Sequence, residues 1–266
     1  MRRTVRTALH ALGYELRRTR PRTTKSGGSA TGRSAGIIIE ITGASGVGKT
    51  SVYKRLRPAL KGQWEFNVDS SLASTESPAE HIPLYWRIFL MKMEQKWQSG
   101  SFASGRDSGT AFAKARHYIR VIESDMVANE LAAARGCVIE EGICFVFLQE
   151  LLTVADSGPC GFADVKALLA NKAVVFLDAD EEFVEKNLHR RHAESPGSRN
   201  DWIQRLGPEA TRDFVALHRK YQLTILPLLE RVGCPVLRVD TATGIDGSVT
   251  AIVEFAEHLI AARAAA

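Results

Sequence analysis

Residues 36–51 read GIIIEITGASGVGKTS: a β-branched apolar run stops at Gly43-Ala44-Ser45-Gly46-Val47-Gly48-Lys49-Thr50 and passes straight into a helix-forming stretch. Strand, glycine-rich turn and helix start are the context in which the octet G-x-x-x-x-G-K-[ST] acts as a phosphate-binding loop. The glycines let the loop curl, so that backbone N–H groups converge on the β- and γ-phosphates of a nucleoside triphosphate at the positive end of the helix. The expected binding segment is Gly43, Ala44, Ser45, Gly46, Val47, Gly48, Lys49, Thr50 and Ser51. Lys49 would set a point charge at the γ-phosphate, and the Thr50 hydroxyl would be a ligand of Mg²⁺.

A glycine-rich turn after a strand also occurs in short-chain dehydrogenases, and two features exclude that alternative. Only two residues separate Gly43 from Gly46 where that family places three, and none of Tyr14, Tyr53, Tyr85, Tyr118 and Tyr221 has a Lys four residues on. The dinucleotide order G-x-G-x-x-G is also absent, so Lys49-Thr50 decides for a nucleoside triphosphate.

The net charge of +5 divides unevenly along the chain. Residues 1–35 hold nine Lys/Arg against the single acid Glu15, whereas the remainder carries 26 basic and 29 acidic groups. The basicity therefore belongs to an N-terminal arm, and nucleic acid is not an expected partner of the rest. Within the arm, Val5, Leu9, Leu12 and Leu16 share one helical face among arginines, and residues 21–35 are Ser/Thr/Gly-rich. A basic amphipathic helix on a flexible linker is expected. A solvated tail, weak contact with an anionic membrane surface and a transit peptide all stay open for it. No apolar run reaches 18 residues, so no membrane span is expected. Cys137, Cys144, Cys160 and Cys234 form no C-x-x-C pair and read as buried, reduced thiols of a cytoplasmic protein.

From residue 36 to 266 short apolar runs alternate with longer helical stretches, the pattern of a parallel sheet with crossover helices. Strands are expected at Ile37–Thr42, Trp64–Val68, Cys137–Glu140, Ala173–Asp178 and Pro235–Val239. Helices are expected near 50–60, 82–98, 110–135, 145–155, 161–170, 180–193, 208–232 and 247–264. The fold class is thus α/β: a three-layer P-loop NTPase fold with a five-stranded parallel sheet flanked by helices. The stretch from 69 to 136 exceeds an ordinary crossover, so two long helices there are expected to form a lid or substrate-binding insertion.

Val138-Ile139-Glu140-Glu141-Gly142 ends a buried strand in acid, at the edge of an open sheet where ligands sit. One of the two carboxylates would orient Mg²⁺ or its water, with Glu140 preferred, and the other would bind substrate or accept a proton. Asp69, after the second strand, is a further candidate base, although an Asp followed by serines is also an ordinary turn. Arg190 and Arg191 close a helix, and the loop after it contains Pro196, Gly197 and Arg199; these arginines are the candidates for a basic lid over the phosphates. Arg116 and Arg120, four apart, read as an exposed basic face. The runs Phe145–Leu152 and Phe214–Leu229 read as core.

With the loop at 43–50, the acidic strand end at 140–141, and the strand, Asp178, helix and Arg-rich segment over 174–199, the chain resembles P-loop kinases of the nucleoside and nucleotide kinase superfamily, thymidylate kinase in particular. The run Val236-Leu237-Arg238-Val239-Asp240-Thr241 and the helix after it are similar to the last strand and helix of those enzymes. The resemblance covers about residues 36–262 in order of elements and is specific only in the phosphate loop. It implies ATP and Mg²⁺ as cofactors, Lys49 and Thr50 on phosphate and metal, Glu140 or Glu141 at the metal or base position, and Arg190 or Arg191 in the lid. The family carries an Arg after its acid at the third strand end, where it helps hold the phosphoryl acceptor; here Glu140-Glu141-Gly142 lacks it. The acceptor is therefore expected to be a small molecule, with its class open, and homodimerisation is open too. The alternative is a P-loop ATPase acting as a switch on a protein partner. A GTPase is disfavoured, because Asn171-Lys172-Ala173-Val174 has Val where base recognition needs Asp.

Overall fold

The computed structural model describes residues 36–60, 62, 64–66, 68, 81–99, 108–132, 135–194 and 201–265, the side chains of 108–110 and 201–206 excepted. The chain runs β1 (Ile38–Gly43), α1 (Lys49–Ala59), β2 (Trp64–Phe66), α2 (Ile82–Gln98), α3 (Ser108–Ala132), β3 (Gly136–Glu140), α4 (Ile143–Val146), α5 (Leu148–Ala155) and α6 (Pro159–Leu169). It continues with β4 (Lys172–Asp178), α7 (Glu181–Glu194), α8 (Asp201–Leu223), α9 (Leu226–Val232), β5 (Val236–Asp240), a 3₁₀ turn (Thr241–Thr243) and α10 (Ile245–Ala264).

The five strands form one sheet in the order β2-β3-β1-β4-β5, and every pairing is parallel. This is the α/β three-layer arrangement expected of the sequence. Central β1 is buried along its whole length, because a parallel sheet is covered by helices on both faces. Its side chains alternate between two cores. Ile39 and Ile41 pack with Val52 and Leu56 of α1 and with Ile252 and Ala256 of α10, whereas Ile38 meets Ala128 and Ala132 of α3. A further cluster on that second side gathers Ile88 of α2, Phe147, Leu151 of α5, Leu168 of α6 and Leu228 of α9. Register places Ile41 opposite Glu140 and Gly43 opposite Leu177, so the ends of β1, β3 and β4 share the carboxyl edge of the sheet.

The second layer also buries charge. Lys172 at the start of β4 and Asp125 of α3 form an ion pair with neither side chain exposed. Tyr85 donates to Asp125 Oδ2 at 2.6 Å, Asn129 donates to the same oxygen at 3.2 Å, and Asn171 donates to Asn129 Oδ1 at 2.7 Å. Burial works against the Lys172 charge, but Asp125 more than offsets it and holds its pKa above the usual lysine value. Lys92 and Glu150, 3.2 Å apart and buried, join α2 to α5.

Some boundaries differ from the sequence expectations for identifiable reasons. The second strand stops at Phe66 rather than Val68. The helix expected at 145–155 begins at Ile143 and breaks at Phe147, whose φ of −110° and ψ of 25° are not helical. The helix expected at 208–232 is preceded by a further helical stretch from Asp201, from which it is set off by a kink where Gly207 takes φ 72° before Pro208, and it is divided before α9, which carries Pro in its first turn. Cys137, Cys144 and Cys234 are buried, but Cys160 is exposed. Among the described residues no helix is long and apolar enough to cross a membrane.

Candidate functional site

β1 delivers its last residue to a turn that only glycine permits. Gly43 has φ 142°, and a Cβ there would lie 2.3 Å from the Leu177 carbonyl oxygen of β4. Gly48, at φ 100° and ψ 12°, opens α1 with no side-chain cap and no acid in the first turn. That leaves the positive end of the helix to a ligand. Between them Val47 is 1% exposed in the first core cluster and anchors the loop from below. Asn187 of α7 donates to the Gly46 carbonyl at 3.2 Å, so the loop is also tied to the helix that follows β4.

Lys49 is buried, and its ammonium sits where loop and acidic strand end meet. It donates to the carbonyls of Gly43 at 2.7 Å and Ala44 at 3.0 Å, lies 3.1 Å from Glu141 Oε1, and rests over the Phe145 ring at 5.3 Å. Burial lowers its pKa and the Arg191 guanidinium pushes the same way, while Glu141 and Glu140 pull it back up. One residue on, the Thr50 hydroxyl donates to Glu140 Oε1 at 2.7 Å. Two adjacent residues at the start of α1 thus face two adjacent carboxylates at the end of β3. For both carboxylates to point this way Glu141 takes φ 56°, and it is the only non-glycine residue with positive φ among those described. Such a conformation costs about 1–3 kcal/mol and clusters at functional sites.

The other expected site residues fare differently. Arg191 is exposed but near enough to Lys49 to affect its charge. Arg190 donates to Oδ1 of Asn187, the residue that holds the Gly46 carbonyl, at 3.1 Å and faces Glu194 at 3.9 Å. Asp69 and Arg199 lie outside the described residues. Arg116 and Arg120 are exposed on α3. Of the two phenylalanines read from sequence as core, Phe145 packs against the second core cluster and also underlies Lys49, whereas Phe214 is 36% exposed.

Three groups that the sequence did not single out belong to this region. His218 of α8 stacks on Phe214 with ring centroids 5.7 Å apart and meets the Phe145 ring edge-on at 6.2 Å. Burial and the nearby Lys49 charge lower its pKa, which keeps the imidazole neutral. Arg219, the next residue, grips Asp178 at the end of β4 with two bonds, 2.6 Å to Oδ1 and 2.9 Å to Oδ2, while Arg238 of β5 donates to Oδ2 at 3.0 Å. This clamp fixes α8 across the sheet edge. No sequence spacing announces Arg219, because its partner is 41 residues away.

Glu40 is the third group, and a single acid inside the run Ile37–Ile41 was a signal available in the sequence. Its side chain is fully buried on β1; Oε2 accepts the Cys144 N–H at 3.1 Å and Oε1 that of Phe145 at 2.9 Å. These bonds explain why α4 starts at Ile143: a distant carboxylate supplies the cap that Gly142 lacks. Burial pushes the Glu40 pKa up from 4.5 to about 7, against the opposing pull of Lys172 and the two N–H groups. Between those values the folded chain holds more protons than the unfolded one. The contribution of Glu40 to stability is therefore full at low pH and is lost as pH rises through about 7. In urea titrations at pH 5 and pH 8, wild type should lose roughly 3 kcal/mol relative to Glu40→Gln between the two. A difference independent of pH would contradict that assignment.

No family model matches the chain, and no curated protein matches it. Among solved structures, that of deoxyadenosine kinase from M. mycoides with bound dATP is similar with a TM-score of 0.40 and 13% identity, over 82% of this chain and 98% of that one. A likeness of this size leaves function to be read from the chain's own residues.

Proposed function

We propose that this chain is a P-loop small-molecule kinase that transfers the γ-phosphoryl group of ATP to a small acceptor in the presence of Mg²⁺. The observation that carries the reading is the double facing of Lys49 with Glu141 at 3.1 Å and Thr50 with Glu140 at 2.7 Å beneath an uncapped helix start. A hydroxyl and a carboxylate in contact form an all-oxygen donor pair, which suits a hard divalent cation. Thr50 and Glu140 would hold Mg²⁺, whose charge, when bound, offsets that of the phosphates.

The remaining groups act by position. Lys49 exchanges the Gly43 and Ala44 carbonyls for phosphate oxygens, and its charge stabilises the negative charge that spreads over them. Glu141, released from Lys49, is placed to accept the proton of an acceptor hydroxyl. Arg191 is the lid arginine this geometry favours. Phe145, Phe214 and neutral His218 wall the side from which an acceptor would approach. Residues 1–35 take no part in turnover, so their deletion is expected to leave kcat within about twofold of wild type.

The test is transfer from γ-labelled ATP with Mg²⁺ over pooled nucleosides, nucleoside monophosphates, sugars and short polyols, beside a control without acceptor. Label on one pool supports the kinase and names the acceptor class. Phosphate released equally in every pool would instead make the chain an ATPase acting on a partner.

A further inference from the structure

Glu40 sends both of its oxygens not to the loop or to α1 but to the backbone immediately beyond the acidic strand end. We propose that Glu40 is the positioning residue of that strand end: by holding the Cys144 and Phe145 N–H groups it fixes Glu140, Glu141 and the Phe145 ring against Lys49 and Thr50. The consequence for rate rests on the phosphoryl-transfer reading above; the effect on the backbone does not.

Four observations converge on this. First, the bonds are divided, one N–H to each oxygen, at 3.1 and 2.9 Å. Only a group with two acceptor oxygens satisfies both; a carboxamide would turn a donor towards one of the N–H groups. Second, the carboxylate is fully buried on the central strand, where desolvation is costly unless its bonds are made, so the two N–H groups are held firmly. Third, Gly142 is shaped around it. A Cβ at 142 would lie 2.6 Å from Glu40 Oε2 and 2.7 Å from Ile139 Cδ1, so the residue after Glu141 is small because the carboxylate passes there. Fourth, Glu141 sits at φ 56° between an N–H bond to the Ile41 carbonyl at 3.1 Å and the pinned start of α4. A strained residue keeps its conformation only when both flanks are fixed.

The chain from β3 into α4 is thus restrained on both sides of Glu141, and the same restraint sets the ring on which the Lys49 ammonium rests. Glu40 touches no reacting atom in this arrangement and acts through the backbone it holds.

The experiment compares the full chain with Glu40→Gln and Glu40→Leu at pH 8, where Glu40 is ionised, reading amide hydrogen exchange at Cys144 and Phe145 by NMR, together with kcat and the KM for ATP. Glu40→Gln should speed exchange at one of the two amides and Glu40→Leu at both, each by about tenfold or more. Loss of a supporting partner of this kind costs about 10–100-fold in activity, so kcat should fall in that range for Glu40→Leu and less for Glu40→Gln, with KM for ATP within about twofold. Wild-type exchange at both amides in Glu40→Gln would overturn the proposal, and that variant alone decides if Glu40→Leu does not fold. Uniformly faster exchange across the sheet, with KM and kcat changing together, would also overturn it, since it would mark a merely structural group. Absence of transfer by the wild type would refute the functional reading, while the exchange data would still decide the role of Glu40.

Discussion

Lys49→Ala is expected to lower phosphoryl transfer by roughly 10³-fold or more, because it removes a buried cation that faces both the loop and the acidic strand end. The fold should survive. Ala is the strongest helix former and α1 keeps its anchors Val52 and Leu56. The lost contacts are a pair with Glu141, itself 40% exposed and able to turn to water, and two bonds to carbonyls of the loop. Circular dichroism and turnover measured on one preparation separate the two effects. Turnover within about tenfold of wild type, with ATP still bound, would remove Lys49 from the chemistry.

Lys172→Ala should have the largest effect on stability of any single change considered. Asp125 would be left charged and unexposed, and Glu40 would lose the cation that favours its ionised form. Breaking one side of such a pair costs about 3–5 kcal/mol, whereas replacing both sides is often close to neutral. Lys172→Met combined with Asp125→Asn is therefore expected to recover most of the loss in urea unfolding, since Asn still accepts from Tyr85. Equal destabilisation by the single and the double variant would show that the pair is not the source of the effect.

Much of the sheet was legible in the sequence because buried parallel strands leave a local mark. Ala173–Leu177 is an unbroken apolar run of strand length, Ile37–Ile41 is interrupted only by Glu40, and the glycines of the loop fall at a spacing tied to one conformation. Thr50 and Glu140 were each singled out by a local feature, the phosphate-loop spacing and the acid at a strand end. Less legible were contacts whose partners are far apart in the chain. Arg219 to Asp178, His218 to Phe145 and Glu40 to the start of α4 depend on which helix crosses which strand end, and nothing within a few residues of either partner encodes that. Phe145 packs against the core as its apolar run suggests, but its second contact, beneath the Lys49 ammonium, has no local mark in the sequence. Arg190 and Arg191 are alike in sequence, and only the roll of α7 separates the one engaged along its own helix from the one near Lys49.

The contact between Glu40 and Gly142 also limits how a chain of this kind can change through mutation. Any side chain larger than hydrogen at 142 collides with the carboxylate, while the carboxylate alone supplies the cap of α4. An arginine at 142 is thus disfavoured until Glu40 has been shortened or lost, and losing Glu40 first loosens the strand end before anything replaces it. The two positions are in contact, so the effects of changing them are not expected to add. The side chain that position 142 can carry is therefore decided on the central strand, a hundred residues earlier in the chain.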